Sequence, residues 1–235
     1  MKVSMFSGGG FPVFGPEMIV VPWIGEGPLP AAEVPGRQAR LNLSALGDFE
    51  LDDFVERHGA PLKKGKPLLV PIGQNQINQK TRVLLLFPLH EDRGGRITGH
   101  EVRRFAEGAV GWAIDQGCGS VGVLLDDIRA WTSEGTPIVE VLVEAASLAL
   151  YRFDECRSKR APLSPLNELV LIMEDEYPHL AINIESAQQI AEGIAFARDL
   201  ILLPPNWKRS TQLAELIRKA LMPFHDVPYL YVSEV

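Results

Sequence analysis

Apolar residues fall into two patterns that take turns along the chain: short unbroken runs, and longer stretches in which they recur every three or four positions. The runs Met18–Trp23, Pro67–Ile72, Val83–Leu89, Ser120–Leu125 and Leu166–Met173 have the length and continuity of buried strands. In the first of these Pro22 has no N–H to give a ladder, which predicts an edge position or a strand end. The polar segment Gln74–Lys80 and the acidic pair Asp126-Asp127 read as connections.

Helical spacing appears between the runs. Asp48–His58 carries Phe49, Phe54 and Val55 among acids and stops at Gly59. From Thr98 to Gly117, Val102, Phe105, Ala106, Ala109 and Ala113 share one stripe, and Thr98 with Glu101 has capping-box spacing. Pro137–Asp154 presents Ile138, Val141, Leu142, Ala145, Leu148 and Ala149, with Pro137 placed where its missing N–H costs nothing. Ser186 and Gln189 predict a cap for a helix with the stripe Ile190, Ile194, Ala197 and Ile201, ended by Pro204-Pro205. Ser210 caps a final helix to Leu221, and Tyr229–Val235 reads as a last strand. Strands alternating with helices predict an α/β layer structure on a largely parallel or mixed sheet.

Composition narrows the function. Thirty acidic residues against 23 basic ones give a net charge of -7, a field that disfavours nucleic acid as a partner. The clusters Lys63, Lys64, Lys66 and Arg157, Lys159, Arg160 read as solvated surface charge. Cys118 and Cys156 have no C-x-x-C spacing, which suits a reducing cytoplasm and neither a disulfide scaffold nor a zinc site. No apolar run approaches the ~18 residues needed to cross a bilayer, so no membrane partner is expected. Residues 1–16 read as a flexible arm. Within it Ser7-Gly8-Gly9-Gly10 lacks the spacing of a phosphate loop.

Two stretches carry a resemblance. Glu144-Ala-Ala-Ser-Leu-Ala-Leu-Tyr-Arg-Phe-Asp154, closed by Arg157-Ser158, resembles a helix end typical of leucyl (cytosol) aminopeptidase N-terminal domains. Ala191-Glu-Gly-Ile-Ala-Phe-Ala-Arg-Asp-Leu200, followed by Pro204-Pro205-Asn206, is similar to that family's A-R-D-L…P-P-N signature. The two occur in the family's order. Leu202 departs from it, standing where the family usually has Asn. Both motifs also have plain structural readings: Tyr151 and Phe153 as core or interface aromatics, and Pro204-Pro205-Asn206 as a helix stop with a turn.

The resemblance implies a three-layer, macro-domain-like α/β fold, a mixed sheet with helices on both faces. It implies a domain over 17–203 that flanks a catalytic domain and helps assemble a homo-oligomer, a hexamer in the family. Residues 204–235 would then be a hinge and the opening of the catalytic domain. The family's chemistry uses two divalent metals, zinc or manganese, to activate water in peptide cleavage. Its Gly-Lys-Gly…Phe-Asp-Ser-Gly-Gly and Asn-Thr-Asp-Ala-Glu-Gly-Arg stretches do not occur in this sequence, so no catalytic, metal or cofactor residue is carried over.

Other chemistry has little to rest on. Asp52-Asp53, Asp126-Asp127 and Glu174-Asp175-Glu176 sit where exposed acids are commonplace. His58, His90, His100, His179 and His225 have no ligand spacing, and Cys118 between glycines reads as a small turn residue rather than a nucleophile. The expected function is therefore a non-catalytic assembly or regulatory domain of a cytoplasmic aminopeptidase. The alternative is a free-standing macro-like domain binding a nucleotide or ADP-ribose-like ligand at the sheet's carboxyl edge.

Overall fold

The computed structural model describes residues 1–7, 15–24, 51–72, 80–132, 135–154, 164–173 and 179–222. Six strands form one sheet: β1 (Lys2–Ser7), β2 (Met18–Ile24), β3 (Leu68–Pro71), β4 (Val83–Leu89), β5 (Ser120–Leu124) and β6 (Glu168–Met173). Their order is β1-β6-β5-β2-β4-β3, parallel throughout except where β3 runs against β4. The helices are α1 (Leu51–His58), α2 (Ala60–Lys63), α3 (Gly99–Asp115), α4 (Leu125–Trp131), α5 (Ile138–Ala149), α6 (Leu180–Leu202) and α7 (Ser210–Leu221).

Successive side chains of a strand point to opposite faces, and both faces of this sheet are covered. Met18 and Val20 of β2, with Leu85 and Phe87 of β4, join a core built with α3, α5 and the start of α6. Ile19, Val21 and Trp23, with Leu84 and Leu86, join a smaller core completed by Phe54 and Val55 of α1 and Leu62 of α2. The unbroken apolar runs follow from this, because a strand buried on both sides has no polar face to show. The expected mixed sheet with helices on both faces is the observed architecture.

Several sequence expectations need correction. β2 is a central strand, not an edge: it lies between β5 and β4, and its pairing with β5 stops at Val20↔Val123, short of Pro22. Residues 2–7, expected within a flexible arm, form the edge strand β1 paired with β6. Asp126-Asp127 stand in helix α4, not in a loop; Leu125 and Ile128, three positions apart, turn into the core. The cap expected at Ser186 is absent because α6 starts earlier, at Leu180, leaving Ser186 inside it. Ser210 makes no cap hydrogen bond, and Arg209 holds the N-cap position. At α3 the Thr98 hydroxyl does accept the Glu101 N–H, at 3.4 Å, and Gly117, at φ +65, supplies the left-handed residue just beyond the helix. Gly8–Gly10, the connection over 74–79, the cluster Arg157–Arg160, Cys156, Glu174–Glu176, His225 and Tyr229–Val235 lie outside the described residues.

The chain divides into two compact units, 1–151 with 162–191 and 152–161 with 192–235. The division falls inside α6. The first unit holds the whole sheet; the second holds the end of α6, a single 3-10 turn at Pro205–Trp207, and α7.

Candidate functional site

Three polar groupings and one groove are the places where the described residues could do chemistry. The first lies at the amino ends of β2, β4 and β5. Arg82 donates to the Glu17 carboxylate, which also accepts the Gly119 N–H at 3.3 Å. The Ser120 hydroxyl accepts the Glu17 N–H at 3.0 Å, and the buried Thr81 hydroxyl donates to the Pro16 carbonyl at 2.6 Å. The hydrogen bond to Glu17 raises the Arg82 pKa further above its ordinary value, so this cation stays charged. Cys118 is fully buried beside it, and burial pushes its thiol up, away from the thiolate a nucleophile needs. The group is a clasp between three strand starts.

The second grouping joins β4 to α3. Glu101 accepts the His90 N–H at 3.1 Å and binds Arg104 at 2.6 Å, while Arg104 also donates to the Pro88 carbonyl at 2.6 Å. The same guanidinium stands 5.1 Å over the Phe87 ring. Burial alone would raise the Glu101 pKa, but Arg104 and the His90 N–H outweigh it and hold the carboxyl below its ordinary value. Arg103 on α3 pairs with Glu144 on α5 at 2.8 Å. These bonds tie β4 to α3 and α3 to α5.

The third is a cleft of about 390 Å³ within the first unit, just past the carboxyl end of β5. Leu125, Arg129, Thr136, Ile138, Glu140 and Asn183 line it. It offers one cation, one acid and two neutral polar groups.

No set of three His, Cys, Asp or Glu among the described residues could hold a metal ion. The described residues therefore do not fit the two-metal centre that the resemblance implies. Of the histidines, the His58 ring lies 4.6 Å from that of Phe54, His90 follows β4, His100 lies in α3 and His179 precedes α6. Tyr151 and Phe153 are both half-buried.

The groove lies within the second unit. Phe196, Leu200, Leu203, Trp207 and Leu216 line a space of about 510 Å³, with Asp199, Gln212, Glu215 and Lys219 also lining it. The stripe Ile190, Ile194, Ala197 and Ile201 that the sequence marks on α6 is not its buried one: Ile190 is 48% exposed and Ile201 71%, whereas Leu180, Ile184, Ala187 and Ala191 are buried. Sequence reasoning missed the groove because an apolar stripe states that a surface wants cover, not where the cover comes from.

Residues 68–160 match the family described as cytosol aminopeptidase family, N-terminal domain. The probable cytosol aminopeptidase of Nitrosococcus oceani is 33% identical over 199 residues, covering 78% of this chain and 39% of that protein. The match thus spans about two fifths of that curated relative's length. Among solved structures, a tomato leucine aminopeptidase mutant superposes with a TM-score of 0.66 at 14% identity, over 96% of this chain and 43% of its own. The bottromycin maturation enzyme BotP gives 0.59 at 19% identity, over 89% and 38%. At those identities the two structures speak for the fold alone, and the sequence matches carry the kinship. The chain belongs to the cytosol aminopeptidase family and carries its N-terminal domain.

Proposed function

We propose that this chain is the non-catalytic N-terminal part of a longer two-metal aminopeptidase, serving its assembly or regulation while the partner catalytic domain removes N-terminal residues from peptides. The observation that carries the reading is the match of residues 68–160 to the family's N-terminal domain, in a chain whose matched part spans 39% of the Nitrosococcus relative. Two of the polar groupings of the first unit support it as well, since the clasp around Glu17 and the pairs around Glu101 and Glu144 bind strand or helix to its neighbour. In this reading residues 204–235 lead into the catalytic domain, the protein works in the cytoplasm, and it forms a homo-oligomer.

The test is fractionation of cell extract with an antibody raised against this chain, assaying each fraction for leucine-amide hydrolysis. The expected species has a subunit about twice the 25.9 kDa of this chain and elutes with the activity. A band at 25.9 kDa without co-eluting activity overturns the reading.

One observation favours a second reading, a nucleotide or ADP-ribose-like ligand: the cleft past the carboxyl end of β5, the edge where open α/β sheets bind such molecules. Titration calorimetry with ADP-ribose decides it. A flat trace at millimolar ligand removes the idea.

A further inference from the structure

The cleft past the carboxyl end of β5 is lined by parts that the fold holds in place. Its apolar lining is rooted in the larger core: Leu125 and Leu180 are buried there, and Ile138 packs against it. Arg129 reaches the cleft from α4. The end of that helix is pinned, because the buried Thr132 hydroxyl donates to the Ile128 carbonyl at 2.6 Å and Thr132 bridges to Ile97. Helix α5 opens at the cleft with Pro137 as its N-cap and no side-chain cap. The N–H groups of its first turn, from Ile138 to Glu140, therefore have no carbonyl behind them within the helix. Glu140 adds a carboxylate to the same lining.

These charges select among ligands. Arg129 and the start of α5 favour one negative group. A guanidinium has five N–H donors, so Arg129 can keep a neighbour within the protein and still take a carboxylate. Glu140 favours a positive group and penalises a second negative one. A nucleotide would set its diphosphate beside that acid, whereas a zwitterion brings one charge of each sign. The apolar lining adds a place for a side chain without polar groups. At about 390 Å³ the cleft is toward the small end of ligand pockets, about 300–1,000 Å³, and suits a small molecule.

We propose that this cleft binds a zwitterionic α-amino acid or short peptide with an apolar side chain. The carboxylate goes to Arg129 and the start of α5, the ammonium to Glu140, and the side chain lies against Leu125, Ile138 and Leu180. Such molecules are the products and substrates of the aminopeptidase proposed above, so the bound cleft reports their level to the longer polypeptide. That regulatory meaning rests on the proposed function, while the binding itself does not.

The experiment is titration calorimetry on this chain with leucine, leucyl-leucine, N-acetyl-leucine, which lacks the ammonium, and leucinamide, which lacks the carboxylate. The proposal expects saturable binding of leucine or leucyl-leucine at millimolar ligand, with the two blocked analogues weaker by about ten-fold or more. The tighter of the first two tells whether free amino acid or peptide is the occupant. Arg129→Gln and, separately, Glu140→Gln should each weaken binding by about ten-fold or more at an unchanged denaturation midpoint. Where a variant proves unstable, the analogue series decides without it. Flat traces with both leucine and leucyl-leucine overturn the site and leave the proposed function standing. N-acetyl-leucine or ADP-ribose binding as tightly as leucine makes the cleft a simple anion site and overturns the proposal. So does binding that survives both substitutions. Failure of the proposed function would appear instead in the extract fractionation, and would leave these titrations as they are.

Discussion

The two compact units are made from similar residues put to opposite use. In the first, apolar side chains of six strands and the helices against them are shut away, and Met18, Ile19, Phe105 and Leu142 are wholly buried. In the second, isoleucine, methionine and tryptophan side chains stand open: Ile201 is 71% exposed, Met222 65% and Trp207 47%. One helix, α6, contributes to both. The difference teaches that apolar periodicity specifies a helix and a face to be covered, while burial depends on which neighbours are within reach. The first unit brings its own neighbours. The second unit's described residues bring too few.

The comparison can be strained by mutation. The largest expected effect is at Phe105, which is fully buried and stacks edge-on against Phe87 at 5.5 Å. Phe105→Ala should cost about 3–5 kcal/mol, read as a lowered denaturation midpoint. A loss below about 1 kcal/mol would mean that the first unit is not a well-packed core. The paired test is on α6 itself. Ile184→Ala, at 7% exposure, should destabilise the chain by about 2 kcal/mol or more. Ile201→Ala on the same helix should change stability by no more than about 0.5 kcal/mol. Equal losses at the two sites would erase the contrast.

Smaller effects sharpen the account of the first unit. Thr98→Ala removes the side chain that accepts the Glu101 N–H and should cost about 1 kcal/mol in urea unfolding, with Thr98→Ser restoring most of it. The smallest is a pH dependence at Glu101. Its carboxyl is held below the ordinary 4.5 in the folded chain, so the unfolded chain takes up the proton first. The stabilisation is complete above about pH 4.5 and is lost as pH falls through the lower folded value. Glu101→Gln should flatten that part of the stability profile. If both proteins lose stability in parallel from pH 5 to pH 3, Glu101 is not the group responsible.

The sequence made the layered fold legible and misplaced several of its parts, for identifiable reasons. Val83–Leu89 and Ser120–Leu124 announce themselves because a strand buried on both faces is apolar at every position. Lys2–Ser7 is mixed in character, and its place as a strand depends on pairing with residues 168–173, which no local pattern records. Pro22 misled in the same way: whether its missing N–H matters depends on where β5 stops, a fact of a strand about a hundred residues on. Asp126 and Asp127 hid a helix because Leu125 and Ile128 needed a core to face. The family motifs were legible where the apolar pattern was not. The match over 68–160 includes the helix end at Tyr151–Asp154, while Pro204-Pro205 does end α6. The groove was invisible, since it is a shape made by two helices and a turn.

The central claim is that α6 is half core and half waiting surface. Amide hydrogen exchange along α6 of this chain alone tests it most directly. Protection near that of the global unfolding free energy over residues 180–191, falling steeply over 192–202, is the predicted result. Uniform strong protection to Leu202 would contradict it, because the end of the helix would then already have the cover that the account says it lacks.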